Sequence, residues 1–166
     1  MQGELCTPDY LVMSGYDGDP DGTNKVIDED GWLPTGDLAV MRSDGYFRIT
    51  GGSRDAIIRG GENIYPLEIE EFIHTHPKVS DVQVVHVTNL KLGEIVLAWI
   101  RLKPGESSTC EEIREYCRGK ISYFKIPQHV SFVESFPMTV SGKVQKFLIW
   151  EMEKLGLKEA ANVETA

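Results

Sequence analysis

Cysteine is scarce in this chain. The three thiols, Cys6, Cys110 and Cys117, are odd in number and form no C-x-x-C pair. That spacing supports neither a disulfide framework nor a zinc site, so no metal is expected and reduced, intracellular thiols fit best. Positive charge is also short: 17 Lys and Arg stand against 26 Asp and Glu, a net charge of -9. Such a balance argues against a nucleic-acid partner or an anionic membrane surface, both of which need clustered cations. No apolar run approaches a membrane span, and the first residues lack the basic-then-apolar profile of a signal peptide. Gly3-Glu4-Leu5-Cys6 opens as if in mid-strand, which reads as a truncated start and leaves a cytoplasmic or a mitochondrial location open. Internal repeats and low-complexity segments are missing too. What remains is ordinary globular composition, 41% hydrophobic and 26% charged over 166 residues. That length suits one domain, or one small domain plus a piece of another.

The chain is organised around Gly51 to Pro66. Apolar runs at Ala56–Ile58 and Ile64–Tyr65 flank Gly60-Gly61-Glu62-Asn63, residue types that favour a tight β-hairpin. Pro66 then suits the first turn of a helix with Ile69, Phe72 and Ile73 at i, i+3, i+4 and Glu68, Glu70 and Glu71 near its positive end. Gly51-Gly52 reads as a flexible joint upstream. A joint, a glycine-tipped hairpin and an acidic helix together form a device for carrying a loop into a site, and an ordinary surface hairpin is the plainer reading.

Before the joint, Glu4–Cys6, Tyr10–Met13, Leu38–Met41 and Tyr46–Ile49 read as short strands, with Asp17 to Gly22 a loop and Ser43-Asp44-Gly45 a hairpin turn. After it the pattern is α+β. Val82 to Val87 and Glu94 to Leu102 form strands joined through Asn89–Gly93, in a small antiparallel sheet with flanking helices. Thr109 and Glu112 make a capping box for a helix closed by Gly119, and Val130–Val133 is a further strand. A last helix spans about Phe147 to Leu155, followed by a frayed tail. The expected division is a β-rich remnant of a larger domain at 1–51 and a smaller domain at 52–166.

Three motifs hold candidate chemistry. Asp37, in Thr35-Gly36-Asp37, offers a carboxylate to a diol such as ribose, although an Asp in a turn more often caps backbone. The glycine hairpin can line a narrow channel. Lys143, just past Ser141-Gly142, projects an ammonium toward a carboxylate or phosphate, although a solvated lysine is the commoner occupant of a helix start.

Taken in order, Gly31 to Leu38, Gly51 to Glu71, Phe124-Lys125-Ile126-Pro127 and Ser141-Gly142-Lys143 resemble the C-terminal part of the adenylate-forming enzymes. These comprise acyl-CoA synthetases, luciferases and peptide-synthetase adenylation domains. Ile58 to Pro66, His76-Pro77 and Lys120 to Pro127 look most like medium-chain fatty acyl-CoA synthetases. The resemblance implies a two-step reaction in which ATP and a fatty acid give acyl-AMP and CoA then takes the acyl group, with a swinging C-terminal domain serving both steps. It places Asp37 on the ribose, Lys143 on the reacting carboxylate and α-phosphate, and Arg54 at the hinge. Gly60 and Gly61 border the CoA channel, and Arg59, Lys120 and Lys125 are its candidates for CoA phosphates. Mg2+ is expected with ATP, held outside this chain. The implied partner is the large N-terminal domain of the same enzyme. Its Ser/Thr/Gly-rich phosphate loop and acyl pocket have no counterpart in these residues, so the chain alone is expected to be inactive.

Two positions depart from the family pattern: Gly52 stands where an Arg usually adds a ribose contact, and Arg54 where Lys or Asp is usual at the hinge. Two alternatives stand beside this reading. The acyl group could pass to a carrier-protein thiol, or the piece could be a non-catalytic interaction module with inherited motifs.

Overall fold

The computed structural model describes residues 2–155 and divides into two compact units at Arg54/Asp55. The first unit holds a three-stranded antiparallel sheet in the order β1-β2-β3, from β1 (Gln2–Pro8), β2 (Trp32–Met41) and β3 (Phe47–Gly52). The β2–β3 turn closes as expected, the Arg42 N–H donating to the Tyr46 carbonyl at 2.8 Å with Gly45 at φ +86°. Three local expectations are corrected. Tyr10–Met13 is not a strand. Pro8 lacks the N–H needed to continue the ladder, and Asp9, at φ +63°, turns the chain into a 3-10 turn over Asp9–Leu11. Asp17 to Gly22 is not wholly loop either: Asp19 caps α1 (Pro20–Val26) by accepting the Gly22 N–H at 2.8 Å, with Pro20 at the first position. The Gly51-Gly52 pair is no joint, since both residues extend β3, paired with Leu38 and Asp37. Gly51 takes φ +145° at the register shift between Leu38 and Ala39, a backbone that an L-residue rarely adopts.

The second unit is the α+β fold expected of it. A five-stranded sheet runs β5-β4-β7-β6, with β8 against β7. Its strands are β4 (Ile57–Arg59), β5 (Glu62–Ile64), β6 (Val79–Asn89), β7 (Gly93–Leu102) and β8 (His129–Phe132). All pairs are antiparallel except β7–β8, which is parallel because the chain returns to the sheet through α3 rather than through a hairpin. β7 is buried on both faces, as its unbroken apolar run predicts. Val96, Ala98 and Ile100 face a core completed by Ile69 and Ile73 of α2 (Pro66–His74) and Cys110, Ile113 and Cys117 of α3 (Cys110–Cys117). Leu97 and Trp99 face the opposite layer, built with Val85, Phe136 and Ile149 of α4 (Lys146–Lys154). The sheet thus separates α2 and α3 from α4.

Candidate functional site

The glycine hairpin is a two-residue turn. Arg59 pairs with Glu62, and Gly60 and Gly61 take φ +59° and +90°, the two positive values that a type I′ turn requires. Gly60 is held by its N–H to the Leu92 carbonyl at 2.8 Å, and a Cβ on Gly61 would meet nothing within 4 Å. The tip is therefore anchored yet open above. Ile57 and Ile64 point into the core, while Ile58 between them is exposed.

Arg59 extends from β4 to the segment before β8, donating from Nη1 to the Phe124 carbonyl at 2.7 Å, and its Nε is buried with no hydrogen-bond partner among the described residues. Lys125, next in that segment, lies 2.6 and 2.7 Å from the two carboxylate oxygens of Glu68 on α2. The hairpin, the first turn of α2 and the 123–125 turn are thereby joined, with two of the three proposed phosphate cations engaged inside the unit. Lys120 belongs to another cluster: it is exposed, and its Nζ sits 4.0 Å from the centre of the Tyr116 ring.

That cluster surrounds His76, which is buried edge-on to Tyr116 and accepts the Lys78 N–H at Nδ1. Burial holds the imidazole below its ordinary pKa; Glu112 opposes this, and Lys78, Lys120 and Lys103 reinforce it. Glu112 is itself held below the usual carboxylate range by hydrogen bonds from Lys78 and Ser108. Burial also pushes the Cys117 thiol up to about 11, which makes it a core residue and not a nucleophile.

Lys143 lies in the other layer. Its loop is tied by the Thr139 N–H to the Lys143 carbonyl at 2.8 Å and the Gly142 N–H to the Thr139 carbonyl at 2.9 Å, with Gly142 at φ +83°. Val144 packs on the second core, which leaves Lys143 exposed with no ion-pair partner among the described residues. A charge so presented can act on a bound anion. Asp37 and Arg54 belong to the first unit, Asp37 exposed on β2 opposite Gly52 and Arg54 exposed in the turn after β3. Among the described residues no cluster of His, Cys, Asp and Glu is arranged to hold a metal, and no helix is long and apolar enough to cross a membrane.

Sequence reasoning missed the ion pairs of Glu68 and Glu70. Their only local signal is that the two acids flank the core-facing Ile69.

Residues 68–143 match the family model of the AMP-binding enzyme C-terminal domain. The chain is similar to a putative acyl-CoA synthetase of Bacillus subtilis, 59% identical over 91% of this chain and 28% of the relative. It is also similar to the mitochondrial medium-chain acyl-CoA ligase of Homo sapiens, 55% identical over 90% of this chain and 24% of that one. Among solved structures, ATP-bound MatB from Rhodopseudomonas palustris superposes with a TM-score of 0.86 at 32% identity, over 93% of this chain and 31% of that one. The chain spans about a quarter of the length of these curated relatives. Motifs, fold and relatives converge: residues 68–143 of this chain belong to the AMP-binding enzyme C-terminal domain family.

Proposed function

We propose that this chain supplies the mobile catalytic part of a fatty acid–CoA ligase. In the first step the fatty carboxylate attacks the α-phosphorus of ATP and pyrophosphate leaves; in the second the CoA sulfur attacks the acyl carbon and AMP leaves. The observation that carries this reading is Lys143, an ammonium with no ion-pair partner among the described residues, held out from the core by an ordered loop. During adenylation it neutralises charge developing between carboxylate and α-phosphate, as a fixed cation does most effectively where water is excluded. Asp37 holds the ribose hydroxyls, Arg54 is the pivot, and the open tip at Gly60-Gly61 borders the CoA arm in the second step. Mg2+ travels with ATP, and the partner is a large AMP-binding domain. An intracellular setting, cytoplasmic or mitochondrial, accords with these substrates.

The test is a graft in which this chain replaces the equivalent residues of the human medium-chain ligase. Lys143→Ala is expected to slow acyl-AMP formation about a hundredfold or more while sparing acyl transfer from supplied acyl-AMP. Gly61→Leu is expected to do the reverse, with Gly61→Asn, which tolerates positive φ, separating backbone strain from obstruction. Equal loss of both half-reactions in both variants would refute the assignment. A second reading, transfer to a carrier-protein thiol, is favoured by the engagement of Arg59 and Lys125 within the unit. A preference for phosphopantetheinyl carrier protein over CoA in the same graft would establish it.

A further inference from the structure

Glu68 and Glu70 lie one residue either side of Ile69, which points into the core. With 3.6 residues per turn they leave α2 from opposite flanks. Glu68 takes Lys125, as described above. Glu70 takes Lys146, the first residue of α4, with Nζ 2.7 Å from Oε1, and the same oxygen accepts the Val84 N–H at 2.7 Å. Val84 lies on the edge strand β6, so the carboxylate satisfies an amide with no strand beyond it. Side-chain exposures of 12% for Glu70 and 26% for Lys146 show a pair largely withdrawn from water. Such a pair adds little net stability over apolar packing, and what it confers is geometry.

Lys146 stands three residues after Lys143. The intervening turn is pinned by the Gln145 N–H to the Pro137 carbonyl at 2.9 Å and by the bridge between Met138 and Val144. α2 in turn follows directly on the glycine hairpin. The two motifs that face different layers of the sheet therefore meet through one carboxylate. We propose that Lys146 is a positioning residue: its ion pair with Glu70 fixes the Lys143 loop against the helix that follows the glycine hairpin, so that Lys143 enters the adenylation site in a single register. The role assigned to Lys143 under Proposed function is the ground on which this rests, and Lys146 itself touches no substrate.

Lys146→Met and Glu70→Gln remove the pair, the latter leaving an amide oxygen for the Val84 N–H, while Lys146→Arg retains it. In the full chain, amide hydrogen exchange across residues 139–145 is expected to quicken about tenfold in the first two variants and stay near wild type in the third. The double variant should exchange no faster than either single one, because both delete the same interaction. In the graft, acyl-AMP formation is expected to fall about ten- to a hundredfold with acyl transfer from supplied acyl-AMP unchanged, the pattern of a displaced lysine. A merely structural role would lower both half-reactions together. Wild-type exchange in Lys146→Met, or parallel loss of both steps, overturns the proposal. Normal acyl-AMP formation in Lys143→Ala would instead overturn the functional reading, and the exchange result would still decide whether the ion pair orders the loop.

Discussion

Gly52 shows how one residue's role depends on where its backbone sits. The resemblance to the family implies an arginine where this chain has Gly52, and a glycine can be present for backbone freedom or merely for want of a side chain. In the structure the positive φ falls on Gly51, at the register shift, while Gly52 is a paired strand residue directly opposite Asp37. An arginine there meets no left-handed strain, and its Cβ would lie about 5 Å from that of Asp37. Gly52→Arg is therefore expected to leave the melting temperature of the chain unchanged or slightly raised, since an opposite-charge pair across strands contributes roughly 0.2–1 kcal/mol. In the graft it should lower the KM for ATP about ten- to a hundredfold and leave that for CoA unchanged. A charge-assisted hydrogen bond to ribose contributes about 1.5–3 kcal/mol. A lowered melting temperature with an unaltered ATP KM would show that the backbone at this position needs glycine after all. A raised ATP KM would show that the introduced guanidinium takes the Asp37 carboxylate away from the ribose role proposed for it.

Elements were legible in the sequence where their signals are local. The hairpin at 57–64, the β6–β7 pair, the capped start of α3 and the Pro66 start of α2 each follow from a few adjacent residues. Tyr10–Met13 misleads because a short apolar run outweighs one proline and one aspartate whose φ cannot be read from composition. The parallel docking of β8, and the pairs Glu68–Lys125 and Glu70–Lys146, join residues 57 and 76 positions apart in the latter two cases, a separation at which no periodicity speaks. The capping box is half realised: Thr109 accepts the Glu112 N–H at 3.1 Å, but the Glu112 carboxylate turns to Lys78 and Ser108. This links the α3 N-terminus to His76 and makes it sensitive to pH. His76 has a folded pKa below its ordinary 6.5, so the unfolded chain takes up that proton first, and stability present above pH 6.5 declines as the pH falls below it. Glu112 is likewise depressed from 4.5, and its contribution is lost at more acid pH still, as the pH falls through its folded pKa. The melting temperature is expected to decline in two stages on acidification. In His76→Asn, which keeps an acceptor for the Lys78 N–H, the first stage should vanish; a slope between pH 6.5 and 5.5 equal to wild type would remove His76 from the account.

At the scale of the whole molecule the two units differ in what they bury. Among the described residues every hydrophobic side chain of the buried core lies in 55–166 except Ala39. The second unit has a five-stranded sheet with packed layers on both faces, enough for a domain that folds by itself. The first has three strands and a two-turn helix, and Tyr10, Leu11, Met41, Tyr46 and Phe47 are exposed on it. Three strands are stable alone only with a hydrophobic face to bury or a helix packed on them, and among the described residues this unit buries only Ala39 of its hydrophobic side chains. Residues 55–166 expressed alone are expected to melt cooperatively, at a temperature close to that of the whole chain, and to retain slow amide exchange along β7. Residues 1–54 expressed alone should give the circular dichroism of an unfolded chain and gain strand signal only when joined to a large AMP-binding domain, whose surface would cover those apolar side chains. A non-cooperative melt of 55–166 would show that the first unit is part of its core. Independent folding of 1–54 would show that the exposed aromatics need no cover, and would remove the physical reason for assigning this unit to a larger neighbour.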